Sequence, residues 1–140
     1  MQTAQLKEQY DLLAPDPSEV RLLVRGIHGE INHFTLPPHA VSLPVTHKSV
    51  EEIWYFLSGV GEFWRRQGDH DEVVQVGAGV SLDIPAGVHF QLCNTGAEPL
   101  RFIIATMPPW PGEQEAIVER DTGQWAPMLP WIASKEEDRA

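Results

Sequence analysis

Glu52, Trp54 and Phe56 stand two residues apart in the run Glu51-Glu52-Ile-Trp54-Tyr-Phe56. An extended chain therefore lays a carboxylate, an indole and a phenyl ring along one surface. That set makes an aromatic pocket wall with one polar anchor, the kind of surface that holds a small molecule. The same residues would also serve as core packing of a small barrel. Glu51 points to the opposite face of a strand, so the two adjacent carboxylates cannot share a proton or work as an acid–base couple. Arg65 and Arg66 are adjacent as well, so one shares a face with Phe63 and the other with Trp64. An arginine inside a barrel would clamp a carboxylate or phosphate, and Arg65 is the candidate; beside a turn it would be solvated. Nucleophilic catalysis has no foothold, because Cys93 lacks an adjacent base and no serine lies in a strained elbow. Cys93 is the only cysteine, which also excludes an intrachain disulfide and a thiolate-rich zinc site.

These residues need strands to carry them, and the chain supplies strands. Eleven glycines and 12 prolines cut it into short segments without helical periodicity. Segments 20–25, 30–36, 41–47, 52–58, 62–66, 71–76, 80–84, 88–93 and 100–106 read as strands. Turn chemistry lies between them at 37–38, 59–61, 67–69, 77–79, 85–87 and 94–96. Nine short strands with no long helix predict an all-β sandwich or barrel. Residues 4–13 are expected to form a short helix or an arm. Three prolines between Met107 and Gly112 bar regular structure there. Residues 114–120 are expected as one or two helical turns, and the tail keeps Trp125 and Trp131 before a solvated run from Lys135 to Arg139.

At 140 residues, with 42% apolar side chains, the chain suffices for one domain with a real core and is too short for two ordinary ones. We expect a single domain over 1–140, with a barrel core at about 20–106, an N-terminal arm at 1–19 and a Pro/Trp-containing segment at 107–140. Ten basic against 20 acidic residues leave a net charge of −10, which repels phosphate backbones and argues against nucleic-acid binding. The one basic pair, Arg65-Arg66, is followed by Asp69, Asp71 and Glu72. The first ten residues lack the basic and apolar regions of a secretory signal. No stretch approaches the roughly 20 apolar residues that span a bilayer, so a soluble, cytoplasmic protein with no membrane partner is expected.

Two stretches carry a family resemblance. The first is His47-Lys-Ser-Val-Glu-Glu52-Ile-Trp-Tyr-Phe-Leu-Ser-Gly59, and the second is Gly79-Val-Ser-Leu-Asp-Ile-Pro85-Ala-Gly87-Val-His-Phe-Gln-Leu-Cys-Asn94. Together they resemble the paired motifs of the cupin superfamily, whose fold is a double-stranded β-helix, a small jelly-roll barrel. The family's first motif has two histidines one residue apart, then three or four residues, a glutamate, six residues and a glycine. Its second has glycine, five residues, proline, any residue, glycine, two residues, histidine, three residues and asparagine. The resemblance covers about Val20 to Thr106. Of the four metal-ligand positions that it implies, this chain keeps His47 and Glu52 and carries Val45 and Phe90 at the other two. His89 stands one residue early.

Successive strand residues point to opposite faces. With Phe90 and Leu92 inward, His89 faces outward; a bulge beside Gly87 would instead re-aim it into the barrel. The resemblance implies a small-molecule ligand inside the barrel, commonly a homodimer, and a divalent transition metal as the cofactor to test for. Our leading expectation is a small-molecule-binding protein with a degraded metal site, its pocket lined by Val45, His47, Glu52, Trp54, Phe56, Arg65 and Phe90. The alternative is a metal-dependent dioxygenase or isomerase that uses His47, Glu52 and a re-aimed His89. A third reading is an interaction module whose Trp110 loop docks a partner. A homodimer is expected to bury some of Trp110, Trp125 and Trp131.

Overall fold

The computed structural model describes residues 1–129; Trp131 and the run from Lys135 to Arg139 lie outside them. Among the described residues the regular structure is all strand. The eleven strands are β1 (Leu12–Leu13), β2 (Glu19–Arg25), β3 (Glu30–Leu36), β4 (Val45–His47), β5 (Glu51–Ser58), β6 (Val60–Gln67), β7 (His70–Gly77), β8 (Ser81–Ile84), β9 (His89–Asn94), β10 (Leu100–Met107) and β11 (Ala116–Val118). They form two antiparallel sheets. One has the order β1-β2-β3-β10-β5-β8, and the other β11-β4-β9-β6-β7. The barrel core is the double-stranded β-helix that the two motifs imply.

The end segments differ from expectation. Residues 4–13 form an arm rather than a helix, and its last two residues pair with β2. The helical turns expected at 114–120 are absent, because Ala116, Ile117 and Val118 pair with β4 instead; β-branched residues suit a pleated edge better than a short helix. The strand expected at 41–47 shrinks to β4. Pro44 has no N–H for the ladder, and Val41 makes only isolated bridges to Cys93 and Met128.

Alternation places the interior. On β5, Glu52, Trp54 and Phe56 are buried while Glu51, Ile53, Tyr55 and Leu57 face out. β10 runs antiparallel to it and sets Thr106 opposite Glu52, Ile104 opposite Trp54 and Phe102 opposite Phe56. Aromatic rings fill the middle: Trp54 stacks on Phe102 at 4.8 Å, and Phe63 on Phe90 at 5.9 Å. Burying each such side chain contributes about 1.5–3 kcal/mol.

Two glycines of the motifs are required by geometry. Gly59 has φ +87°, and a Cβ there would meet the Pro99 carbonyl oxygen at 2.6 Å. Gly87, at φ +85°, makes the turn into β9 and donates its N–H to the His47 carbonyl at 2.9 Å. Asn94, which ends the second motif, is an anchor: its Nδ2 lies within 3.0 Å of the carbonyl oxygens of Leu36, Pro37 and Glu98.

The outer faces of the sheets are dressed differently. The C-terminal segment crosses the outside of the β9/β6 sheet, where the buried Gln91 donates to the Ser42 and Trp125 carbonyls and accepts the Trp125 N–H. On the other sheet Arg21 holds the Lys7 and Glu8 carbonyls of the arm. Ile53, Tyr55 and Leu57 on β5 stay exposed.

Candidate functional site

The barrel opens at one end into a cavity of about 270 Å³. Inward-facing positions of five strands build its walls: Val20 and Leu22 on β2, Asn32 and Phe34 on β3, Val45 and His47 on β4, Trp54 on β5, and Ile104 and Thr106 on β10. Phe90 of β9 closes the back. Residues 14–16 and Ser18 of the arm, with Trp110 from the proline-rich loop, form the mouth.

Polar groups converge on an otherwise aromatic and aliphatic wall. Both Glu52 oxygens accept hydrogen bonds, Oε1 from the Trp54 indole N–H at 3.1 Å and Oε2 from the Thr106 hydroxyl at 3.0 Å. Burial pushes the Glu52 carboxyl up to about 7. Thr106 and Trp54 oppose the rise, and the nearby carboxyls of Asp16 and Glu30 add to it. His47 Nδ1 lies 3.6 Å from Glu52 Oε1, near enough to suggest an ion pair. Burial, only partly offset by the charge of Glu115, nevertheless drives the imidazole down to about 4. Between those values both groups are neutral, so the contact is between uncharged partners. The His47 ring is wedged edge-on between Phe90 at 5.2 Å and Trp110 at 5.1 Å, and its buried Nδ1 has no hydrogen-bond partner.

Five of the seven pocket residues expected from sequence meet here: Val45, His47, Glu52, Trp54 and Phe90. Two do not. Phe56 shares the inward face of β5 but lies deeper, fully buried against Trp54, Phe63 and Phe102. Arg65 is paired in register with Phe90, yet its guanidinium goes to Glu72 on β7 and to the Asp83 carbonyl on β8. It ties the edges of the two sheets together and is no clamp for a ligand.

His89 is the third correction. Regular pairing of β9 with β4 and β6 sets it opposite Thr46 and Arg66, while Phe90 stands opposite Val45 and Arg65. No bulge turns it inward, and its Nδ1 sits 2.5 Å from Glu119 Oε2 on the outside of the barrel. Trp110, from the proline-rich loop, lies edge-on against His47. Sequence reasoning missed Asp16, Glu30, Asn32 and Thr106 as cavity residues. Thr106 was detectable as the polar residue at the inward parity of an apolar strand. Asp16 was detectable from Asp16-Pro-Ser18, where its Oδ1 accepts the Ser18 N–H at 2.8 Å as in an Asx turn.

These side chains do not fit a metal ion. A catalytic site needs three protein ligands and a structural one four. Here His47 and Glu52 stand alone, both Glu52 oxygens serve intrachain donors, and Val45 and Phe90 bring carbon to the remaining positions. Among the described residues no cluster of three or more His, Cys, Asp or Glu side chains is arranged to hold an ion. Nor is any described helix long and apolar enough to cross a membrane.

Comparison with known proteins agrees with the architecture. A family model described as a cupin domain matches residues 32–106. A curated uncharacterized protein of Methanocaldococcus jannaschii is 27% identical over 123 residues, spanning 81% of this chain and 95% of its own length. A Klebsiella pneumoniae protein described as having a double-stranded β-helix domain superposes with a TM-score of 0.60 at 18% identity, covering 78% of this chain and 90% of that one. An oxalate decarboxylase of Bacillus subtilis gives a TM-score of 0.59 at 21% identity, covering 81% of this chain but only 29% of the decarboxylase. At these identities the two solved structures speak for the fold alone.

Proposed function

The chain belongs to the cupin domain family, and from that premise we propose that it holds a small organic molecule inside its barrel, directly against protein groups rather than through a metal. The observation that carries this reading is the cavity, whose largely aromatic and aliphatic walls converge on His47, Glu52 and Thr106. Small-molecule sites have that make-up, a mostly apolar lining with a few fixed polar groups, and about 270 Å³ puts this one just below their usual range of roughly 300–1,000 Å³. The two family ligand positions filled by Val45 and Phe90 make it a site that has lost its metal. A metal-dependent dioxygenase or isomerase is not proposed, because the His89 that it would need is paired with Glu119 outside the barrel.

The test uses the neutral fluorophore N-phenyl-1-naphthylamine, together with metal analysis of protein purified without an affinity tag. Saturable binding is expected for the wild type, with at least tenfold loss in Ala14→Trp, which fills the mouth from the arm and leaves the barrel intact. Equal binding to both proteins, or one transition-metal ion per chain, would overturn the reading.

For assembly, we propose that a second copy covers the exposed stripe of Ile53, Tyr55 and Leu57, rather than the tryptophans. Trp110 and Trp125 are already half-buried within the chain, and Trp131 lies outside the described residues. Glu51 stands at one end of the β5/β10 pair and Arg101 at the other, so a two-fold axis crossing the strands sets unlike charges opposite each other. A monomeric mass by light scattering at tens of micromolar would reject this.

A further inference from the structure

The cavity contains more carboxyl groups than its neutral anchors require. Asp16, Glu30 and Glu52 all line it. Among the described residues only one cation does, Arg25, whose side chain is 58% exposed at the rim, 3.7 Å from Glu30 and within 3.3 Å of the Trp110 carbonyl. The other polar groups of the lining accept hydrogen bonds from within the chain. Asp16 already takes the Ser18 N–H and hydroxyl, Glu30 takes the Trp110 N–H at 2.8 Å, and the Asn32 carbonyl takes the Leu23 N–H at 3.0 Å. Independently, His47 is 5% exposed, lines the same space, and keeps a buried Nδ1 without any partner.

The carboxyls of Asp16 and Glu30 raise the cost of ionising Glu52, and a cation entering the space they share relieves it. Four aromatic rings complete the lining: Phe34, Trp54, Phe90 and Trp110. Their π faces attract an ammonium group most strongly when water is excluded. The whole chain, at −10, would draw such a molecule from solution. A carboxylate would meet three carboxyl groups against the one guanidinium of Arg25 at the rim.

We propose that the ligand of this cavity is an organic ammonium ion bearing one ring-sized apolar group. The inference rests on the reading of the cavity as a small-molecule site and adds the charge class. Three probes with the same ring and different heads test it: 2-phenylethylamine, 2-phenylethanol and phenylacetate, each titrated against bound N-phenyl-1-naphthylamine at pH 7.5. The amine should displace the fluorophore at least tenfold more tightly than the alcohol, and phenylacetate should fail to displace it at millimolar concentration. Glu52→Gln should lower the amine-to-alcohol ratio at least threefold, the ratio being taken within one protein so that any change in fluorophore affinity cancels. Glu30→Gln should narrow the ratio too, and it reads the same effect should the first variant fold poorly.

An alcohol as good as the amine overturns the charge class. So does phenylacetate as the best of the three, which would hand recognition to Arg25, and so does a bound fluorophore that no probe displaces. In each of these cases the small-molecule cavity stands. Only failure of the fluorophore itself to bind, or equal binding to Ala14→Trp, removes the cavity reading along with this one.

Discussion

Glu52 and Glu115 are both shielded from solvent, 4% and 5% exposed, but Glu52 lies deep in the barrel and Glu115 just beneath the surface, and the barrel treats them in opposite ways. Glu115 precedes β11 and reaches over to the turn between β4 and β5. It accepts the Ser49 N–H at 2.5 Å, the Ser49 hydroxyl at 2.8 Å and the Val50 N–H at 2.7 Å. Burial alone would raise its pKa, but those donors, with His47 nearby, outweigh it and hold the carboxyl below its ordinary value. Glu52 faces a cavity with one indole N–H and one hydroxyl, and burial wins. A buried carboxylate that is supplied with backbone donors is a piece of architecture. One that is left short of donors, beside open space, is a site.

The largest test of that contrast is Glu115→Ala. Hydrogen bonds to a charged acceptor contribute about 1.5–3 kcal/mol each, and this change strands three donors at the entry to β5. A loss on the order of 4 kcal/mol in urea unfolding at pH 7 is expected. A loss below about 1 kcal/mol would mean that water replaces the carboxylate and that the turn holds itself.

Next in size is the pH dependence of Glu52→Gln. The Glu52 pKa is raised in the fold, from an ordinary 4.5 to about 7. Its favourable contribution is therefore complete below pH 4.5 and is lost as pH rises through 7, a loss of about 3 kcal/mol when finished. His47 has the opposite sign. Its pKa is lowered to about 4, so its contribution is present above about pH 6.5 and is lost as pH falls through 4. Glu52→Gln should remove the decline in stability between about pH 4.5 and 7 and leave the one that His47 causes at lower pH. Thermal unfolding across pH 4–9 checks this, and an unchanged decline between about pH 4.5 and 7 would show that Glu52 ionises without cost.

Third, the contrast can be abolished by giving Glu52 a cation. Val45 and Phe90 stand opposite each other on β4 and β9 and line the cavity with His47 and Glu52. The double change Val45→His with Phe90→His should create a three-His, one-Glu site. Calorimetry should show Zn²⁺ or Ni²⁺ binding at least roughly 100-fold tighter than wild type, since even one supporting partner of a ligand is worth about 10–100-fold. His89→Ala should change neither protein. A wild type that loses metal on His89→Ala would refute the outward placement of that residue.

Register explains how much of this the sequence disclosed. Period-two alternation and the fixed spacing of Gly59, Pro85, Gly87 and Asn94 located all nine main strands but left open whether Phe90 or His89 faces in. They also brought His47, Glu52 and Trp54 to one wall. The misses have one physical origin, contacts between segments far apart in the chain. The parity that put Phe56 in the pocket says nothing about depth, and the face that carries Arg65 ends at Glu72 and Asp83 on neighbouring edges. Asp16 reaches the cavity only because the arm folds over the mouth, and Glu30 stands at the start of β3 opposite Thr106. β1 and β11 are two or three residues long, and only pairing with β2 and β4 makes them strands.

The smallest expected effect is the sharpest, Thr106→Val. This swap keeps the shape of the side chain and deletes the hydroxyl that donates to Glu52 Oε2 at 3.0 Å. The hydrogen bond favours the ionised carboxyl, as its lowering of the Glu52 pKa shows, so its loss should raise that pKa further. Ionised Glu52 needs the donor more than neutral Glu52 does, because hydrogen bonds to charged groups are about twice as strong. The cost of the swap should therefore depend on pH: within a few tenths of a kcal/mol at pH 5, and about 1–2 kcal/mol at pH 9. The same swap at a donor of Glu115, Ser49→Ala, should cost the same at both values, since Glu115 is ionised throughout. A Thr106→Val cost that is flat between pH 5 and 9 would mean that Glu52 does not change charge in that range. The two carboxylates would then differ only in position.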